Sequence, residues 1–281
     1  MGQVIPPSIP MVTYCVLANT SVSTLFLAGV GPGLLMGLTM MVVAYLYAKK
    51  HNVPVIKEKK SPKEVLHICL DSMWALIMPV IILGGIYSGI FTPTEAGAVA
   101  AVYGMVVGLF VYKELKWRDI PKVVCNSAVA ASVIMLIMAT VSTFGYVLTM
   151  ARIPQVIASS LLSFTTNKYV LLFLFNIVVL IAGCFLNSSA AIALLTPILL
   201  PVLTSVGVSP YMVGIVFIVN MAIGMITPPV GNCLYVACNI ADIKFEALVK
   251  AIMPYLIALI ISLLAITYIE PISMTLVNLL G

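Results

Sequence analysis

The segment Gly224-Met225-Ile226-Thr227-Pro228-Pro229-Val230 decides the fold, because it places two consecutive prolines inside a long apolar stretch. A related segment, Gly2-Gln3-Val4-Ile5-Pro6-Pro7-Ser8, repeats the glycine, an aliphatic residue and both prolines at the same spacing. A proline pair removes two amide donors, and each ring clashes with the preceding helical turn. In an apolar environment such a break persists only where protein, water or an ion satisfies the freed carbonyls. We therefore predict two broken helices, with ordinary proline kinks as the alternative.

Composition places both segments in a membrane. Hydrophobic residues make up 62% of the 281 residues and charged residues only 8%, whereas a soluble domain carries roughly 25% charged residues. Apolar runs near the ~20 residues needed to cross a bilayer recur along the whole chain. We therefore predict an all-α polytopic membrane protein surrounded by the lipid bilayer.

The basic residues predict the orientation of the spans. Most of them lie in two short loops and are Lys49, Lys50, Lys57, Lys59, Lys60 and Lys63, then Lys113, Lys116, Arg118 and Lys122. Short loops rich in lysine and arginine stay in the cytoplasm. The net charge of +5 then reflects membrane orientation and requires no nucleic-acid partner.

These two anchors predict a path through the membrane. The first half contains a span at 23–48, a hairpin turning at 91–93 and returning to 112, and a span at 127–150. An amphipathic stretch at 153–164 follows along the membrane surface. The second half contains apolar arms at 168–186 and 190–203, a crossing at 211–241, an amphipathic cytoplasmic segment at 242–250 and a last span at 251–269. The loop at 204–210 has no basic residue, so we interpret the arms as a re-entrant hairpin (168–203) from the outer face. The C-terminus is then outside.

The two breaks are predicted to run in opposite directions. The short helix after Pro7 runs outwards to about Leu17, and the short helix after Pro229 runs inwards to about Ile240. A motif repeated in opposite directions is typical of inverted-repeat secondary transporters. We therefore predict an inverted-repeat ion-transporter-type fold with a re-entrant hairpin and broken helices.

Polar residues interrupt the apolar arms at Asn187-Ser188-Ser189. Amides and hydroxyls at a hairpin tip can ligate a hard cation or hydrogen-bond a carboxylate. Alternatively, Asn187 and Ser188 only cap a helix that begins at Ala190. The two roles are compatible.

Glu95 is the only acid deep within an apolar stretch, which makes it a functional candidate. Thr92-Pro93-Thr94-Glu95 also has the pattern of a capping box, with proline at the first helical position. Both an ion role and a capping role for Thr92 and Glu95 remain open. An intramembrane hydrolase is disfavoured, because Glu95 has no second acid and His51 and His67 lie away from the apolar cores.

No lysine or arginine falls inside a predicted crossing segment. An anionic substrate would therefore need half-helix N-termini and bound Na⁺ to balance its charge. The six cysteines are scattered singly and are interpreted as packing residues, with a metal or disulfide role as the alternative.

The chain resembles the large membrane subunit of tripartite ATP-independent periplasmic (TRAP) transporters, the DctM family. The resemblance spans essentially the whole chain. The matching stretches are 5–10, 25–29, 32–35, 84–89, 91–96, 183–191, the pair Pro197 and Pro201, and 223–231.

The resemblance implies a Na⁺-coupled importer of small organic acids, such as C4-dicarboxylates or sialic acid, with an elevator-type movement and no cofactor besides the coupling ion. It implies two partners, a small four-helix membrane subunit and a periplasmic substrate-binding protein. The location implied is the bacterial inner membrane, with the C-terminus in the periplasm. It also implies that the protein is not an enzyme.

The resemblance further implies a shared substrate and Na⁺ site at the breaks and the hairpin tip. Its residues are Pro6, Pro7, Ser8, Asn187, Ser188, Ser189, Gly224, Thr227, Pro228, Pro229 and Gly231. Position 187 is often Asp in the family, so a neutral Asn187 lowers the negative charge of the site.

Family members are also longer at the N-terminus, where they carry a first re-entrant hairpin. We therefore expect a fragment, a mis-assigned start or a split gene. The comparison with the family implies a remnant of the first repeat at 1–48, a basic cytoplasmic loop at 49–63 and, at 64–281, the second repeat with scaffold helices, the re-entrant hairpin (168–203) and the broken helix (211–241). The alternatives are a Na⁺/carboxylate symporter of related architecture that needs no binding protein, and a non-transporting assembly subunit.

Overall fold

The computed structural model describes residues 1–51, 61–153, 156, 157, 159, 160, 165 and 167–280. Every regular element among them is helical, which confirms the predicted all-α class. The helices are α1 (Ile9–Ala18), α2 (Val22–Lys50), α3 (Pro62–Tyr87), α4 (Pro93–Val106, continued by a π-helical turn at Val107–Val111), α5 (Ile120–Met150), α6 (Lys168–Phe185), α7 (Ser188–Ser205), α8 (Pro210–Gly224), α9 (Asn232–Ala241), α10 (Phe245–Tyr268) and α11 (Pro271–Leu280). Seven of the described helices are long and apolar enough to cross a membrane.

The chain forms two compact units. The first comprises Met1–Tyr47 and Ile134–Gly281, and it contains both proline breaks and the hairpin tip. The second comprises Ala48–Val133 and contains the hairpin of α3 and α4.

Helix α8 is the core of the first unit. Its residues Ile215 to Val219 are all fully buried, and it packs most extensively against α6. Phe217 meets the ring of Phe175 from α6 at a centroid distance of 5.7 Å and the ring of Tyr14 from α1 at 6.5 Å. A helix that is apolar and buried on all sides belongs to the centre of a bundle.

Helices α1 and α8 run antiparallel. The hydroxyl of Tyr14, in the middle of α1, donates a 2.7 Å hydrogen bond to the carbonyl of Pro210, at the start of α8. Gln3, just before α1, instead contacts Met225, just after α8. The two breaks therefore lie at the same end of α8, and their direction across the bilayer remains a prediction.

A row of glycines on α2 receives the first break. A methyl group at Gly29 would lie 2.7 Å from the carbonyl oxygen of Val4, and one at Gly33 would lie 2.6 Å from the side chain of Ile5. Small residues spaced by four let a backbone approach a membrane helix this closely. The glycines of α2 thus leave room for the segment that carries the first proline pair.

The second unit confirms the predicted turn at 91–93, because α4 begins at Pro93. Two tyrosines of the returning segment fasten it to α3. Tyr103 donates to the carbonyl of Trp74 at 2.8 Å, and Tyr112 donates to the carbonyl of Asp71 at 2.6 Å.

Several predicted boundaries were wrong. Helix α5 begins at Ile120, because its polar first turns continue the same helix. The separate amphipathic segment at 242–250 is not present; after a turn at Asp242, most of it forms the polar first turns of α10. Helix α11 was missed because ten residues are too short to give a spanning signal. The predicted surface helix at 153–164 and the basic loop at 49–63 lie largely outside the described residues.

We expect Gly224→Ala to destabilise the first unit. Its methyl group would lie 2.6 Å from the Cα of Gly183, and overpacking of this kind costs about 1–3 kcal/mol. Gly97→Ala, on α4, is the matched control, because nothing lies within 4 Å of its new methyl group. Thermal unfolding of the purified protein in detergent should show a lower midpoint for Gly224→Ala only. Equal midpoints for the two variants would contradict this packing.

Candidate functional site

The first break replaces a missing backbone hydrogen bond with a side chain. Pro7 has no N–H to donate to the carbonyl of Gln3, four residues earlier in the chain. The hydroxyl of Ser8 donates to this carbonyl instead, at 2.6 Å. Oγ of Ser8 also accepts a hydrogen bond from the amide of Met11 at 3.4 Å and so caps α1. Ser8 therefore both closes the break and starts the short helix.

The second break is closed in a similar way. Thr227 donates its hydroxyl to the carbonyl of Ile223 at 2.7 Å. Pro229 cannot donate to the carbonyl of Met225, and the amide of Cys233 does so at 3.0 Å. Protein groups therefore satisfy these carbonyls, as an apolar surrounding requires.

Helix capping and ligand contact were the two roles predicted for the hairpin tip, and the structure assigns capping to Asn187 alone. Asn187 is exposed and caps α7, because its Oδ1 accepts from the amide of Ser189 at 3.0 Å. Helix α7 thus begins at Ser188 and not at the predicted Ala190. The side chain of Ser188 is only 2% exposed and is not used for capping.

Ser188 joins the hairpin tip to both breaks. Its Oγ lies 3.0 Å from Oε1 of Gln3 and 3.1 Å from Sδ of Met225. Nε2 of Gln3 also lies 2.9 Å from Sδ of Met225. We call these three residues the junction. The hydroxyl has one proton, so it donates to the amide oxygen or to the weaker sulfur acceptor, but not to both.

Backbone contacts next to the junction hold the tip against the second break. Gly231 has a φ of +56°, a conformation that favours glycine, and its amide donates to the carbonyl of Cys184 at 3.2 Å. Gly183 and Gly224 pack backbone to backbone, since neither has space for a methyl group. The end of α6, the end of α8 and the start of α9 are therefore in direct contact.

The helices that meet at the junction carry no charged side chain. Helices α1, α7, α8 and α9 contain no Lys, Arg, Asp or Glu. Three of them, α1, α7 and α9, begin at the breaks or at the tip, and a helix N-terminus carries a partial positive charge. The site thus offers helix N-termini, hydroxyls and carbonyl oxygens, a set that suits an anionic group together with a small cation.

The predicted site residues divide by exposure. The buried ones are Pro6, Ser8, Ser188, Gly224 and Gly231. The half-buried ones are Ser189, Thr227 and Pro228. The exposed ones are Pro7, Asn187 and Pro229.

Gln3 and Met225 were missed as site residues. They occupy the same position in the two matching segments, each directly after the aligned glycine. The structure places these equivalent residues in contact with each other. The alignment of the two breaks contained this signal, but the predicted site included only the prolines, the hydroxyl residues and Gly224 from these segments.

Thr92 and Glu95 belong to the second unit and form a complete capping box. The amide of Thr92 donates to Oε2 of Glu95 at 2.8 Å, and the amide of Glu95 donates to the hydroxyl of Thr92 at 3.3 Å. Both side chains are exposed. The geometry favours the capping role for this pair.

The described residues contain no group of three His, Cys, Asp or Glu side chains able to hold a metal ion. The six cysteines are all free thiols, and Cys15 and Cys184 are buried. An ion at this site would therefore be bound by hydroxyl, amide and carbonyl oxygens.

A multi-span helical protein whose hairpin tip meets two broken helices has the architecture of a secondary transporter. The family profile described as "Tripartite ATP-independent periplasmic transporter, DctM component" matches residues 1–272. The chain therefore belongs to the DctM family of TRAP transporter large subunits, which are multi-pass inner-membrane proteins and not enzymes.

Individual relatives agree with this assignment. The C4-dicarboxylate TRAP transporter large permease protein of Pseudomonas aeruginosa is 44% identical over 100% of this chain and 66% of its own length. The isethionate TRAP transporter permease protein of Oleidesulfovibrio alaskensis is 42% identical over 98% of this chain and 43% of its own length. The sialic acid TRAP transporter large permease protein of Vibrio cholerae is 38% identical over 94% of this chain and 61% of its own length. The chain thus spans only part of each of these relatives.

We expect Ser188→Ala to reduce substrate uptake about tenfold or more, because it removes the hydroxyl that joins the tip to Gln3 and Met225. Ser205→Ala is the matched control, because Ser205 lies at the far end of the same helix and its hydroxyl donates only to the carbonyl of Val202 at 2.7 Å. Uptake of radiolabelled substrate into membrane vesicles, normalised to protein level, measures both. Equal activities would show that the junction has no part in transport.

Glu95→Gln should leave uptake within about twofold of the unmodified protein, because glutamine also completes a capping box. Glu95→Ala should instead lower the thermal midpoint. If Glu95→Gln abolished uptake at normal protein level, Glu95 would have the ion role that the sequence left open.

Proposed function

We propose that this chain forms the substrate-translocating part of a TRAP transporter that imports small organic acids together with Na⁺. The observation that carries the proposal is the junction, where the hydroxyl of Ser188 contacts Gln3 of the first break and Met225 of the second. All three interruptions of the apolar helices therefore meet at one place. Interrupted helices bind substrates and coupling ions in secondary transporters.

An organic anion fits the chemistry of this place. The relatives are named for C4-dicarboxylate, isethionate and sialic acid, which are all small organic anions. No basic side chain is present on α1, α7, α8 or α9 to pair with a carboxylate. The N-termini of α1, α7 and α9 would supply part of the compensating charge.

Na⁺ would supply the rest of the charge. Thr227 donates its proton to Ile223, so the lone pairs of its oxygen remain able to ligate a cation. Asn187 offers an exposed amide at the tip, although its Oδ1 already accepts from Ser189. Hard cations prefer such oxygen ligands. The proposed ion-binding residues are those predicted from the breaks and the tip.

An elevator-type movement and two partner proteins complete the proposal. Both breaks and the tip belong to one compact unit, which supports movement of the whole site as a single body. No residue of α5 from Ile120 to Thr140 is buried. This part of the helix is therefore available to lipid or to a small membrane subunit. A periplasmic binding protein would deliver the substrate.

The test is uptake into proteoliposomes. The protein is purified from its own membranes with the membrane subunit that accompanies it, and its binding protein is added. We expect uptake of succinate, isethionate or sialic acid only when a Na⁺ gradient and the binding protein are both present. Uptake without Na⁺ would contradict the coupling, and uptake of free acid without the binding protein would support the binding-protein-independent symporter instead.

Asn187→Asp provides a sharper test of the ion site. A carboxylate at the tip adds negative charge beside a bound cation, so the Na⁺ concentration for half-maximal uptake should fall several-fold. Asn278→Asp, an exposed position on α11, is the matched control and should leave that concentration unchanged. A higher Na⁺ requirement in Asn187→Asp would place the ion elsewhere.

A further inference from the structure

A chain of buried polar side chains crosses the apolar core of the first unit. Asn220 of α8 is fully buried, Thr267 of α10 is 2% exposed and Asn176 of α6 is 4% exposed. Nδ2 of Asn220 donates to Oδ1 of Asn176 at 2.7 Å, and Nδ2 of Asn176 donates to the hydroxyl of Thr267 at 3.0 Å. This series of hydrogen bonds ends at Thr267, whose hydroxyl donates to the carbonyl of Leu263 at 2.8 Å.

The orientation of the Asn220 amide follows from its neighbours. Its Nδ2 faces two acceptors, Oδ1 of Asn176 and the carbonyl of Val216. A flipped amide would place oxygen against both acceptors. Oδ1 of Asn220 therefore points elsewhere, and it has no hydrogen-bond partner in the described part of the chain.

A buried series of polar side chains such as this one is a poor means of stabilising a membrane core. Hydrogen bonds between membrane helices contribute little net stability, and a buried acceptor without a partner is costly. Leucine has the same branched shape as asparagine, with methyl groups in place of the amide oxygen and nitrogen, and would remove that cost. A buried asparagine pair that costs stability is known instead to fix the register of packed helices.

The register at stake is that of α6 against α8. Helix α6 leads into the hairpin tip, and α8 leads into the second break. Among the described residues, Asn176–Asn220 is the only side-chain hydrogen bond between these two helices. Their other contacts, including Gly183 against Gly224, are apolar and contain no further side-chain hydrogen bond that would specify the register.

We infer that Asn176 and Asn220 are positioning residues that set the register of α6 against α8 and thereby place Ser188 of the tip against Met225 of the second break. Asn220 lies only four residues before Gly224, about 6 Å along the helix. A rotation of α8 at this level is therefore transmitted directly to Met225. Neither asparagine side chain forms a hydrogen bond with Gln3, Ser188 or Met225.

Cross-linking tests the placement without any transport assay. Ser188→Cys and Met225→Cys are introduced together into the protein with its native cysteines replaced, and short bifunctional methanethiosulfonates are applied in native membranes. We expect Asn220→Leu and Asn176→Leu to slow cross-linking at least about fivefold, with unchanged or higher thermal midpoints. Unchanged cross-linking in both variants would overturn the inference.

Thr267→Val is the matched control from the same polar chain. It removes the link from α6 to α10 but keeps the bond between Asn176 and Asn220, so cross-linking should stay within about twofold. Slowing equal to that of Asn220→Leu would indicate a general disturbance of the core and would also overturn the inference. If one leucine variant fails to assemble, the other decides the result.

A second measurement rests on the proposed function. In proteoliposomes, Asn220→Leu should raise the Na⁺ and substrate concentrations for half-maximal uptake about tenfold, with a smaller change in maximal rate. Lack of Na⁺ dependence in the unmodified protein would contradict the proposed function, whereas the cross-linking result would still decide the positioning role. Normal half-maximal concentrations in Asn220→Leu would overturn the inference for the proposed site.

Discussion

Backbone carbonyls freed by the two proline pairs have to find donors in an apolar interior, and the centre of the first unit is arranged around this requirement. At the first break the hydroxyl of Ser8 takes the place of the amide that Pro7 lacks. At the second break the amide of Cys233, from the first turn of α9, reaches back to Met225. Each short helix is therefore fastened to the break that precedes it, so the breaks form fixed corners in the chain and are not flexible gaps.

The predicted inverted repeat accounts for the contact between Gln3 and Met225. The two residues occupy equivalent positions in the matching segments, and the antiparallel course of α1 and α8 brings both breaks to the same end of α8. Equivalent residues that touch lie close to the axis relating two copies, as in a symmetric dimer interface. The hairpin tip then enters beside this axis through Ser188. The candidate site thus lies where the two predicted repeats would meet.

Local signals predicted the architecture well. Proline pairs, the capping pattern Thr92-Pro93-Thr94-Glu95 and the polar tip at 187–189 act over a few residues, so their structural effects can be read from neighbouring sequence. Residues whose role depends on distant partners were not predicted. Gln3 finds its partners 185 and 222 positions along the chain, and no local rule specifies such a pairing. Asn176 and Asn220 did leave a trace, since each is a single amide within an apolar run.

The strength of the contacts differs along the interface between hairpin and second break. Helices α6 and α8 are held by a buried amide pair in the core and by backbone contact between Gly183 and Gly224 close to the tip. At the junction the shared acceptor is the sulfur of Met225, which is weak and polarizable. Gln3 and Ser188 would therefore lose little by turning from that sulfur to a carboxylate oxygen. If the junction binds the substrate as proposed, the ligand would replace contacts to a weak acceptor, while the amide pair between α6 and α8 would keep the hairpin in register.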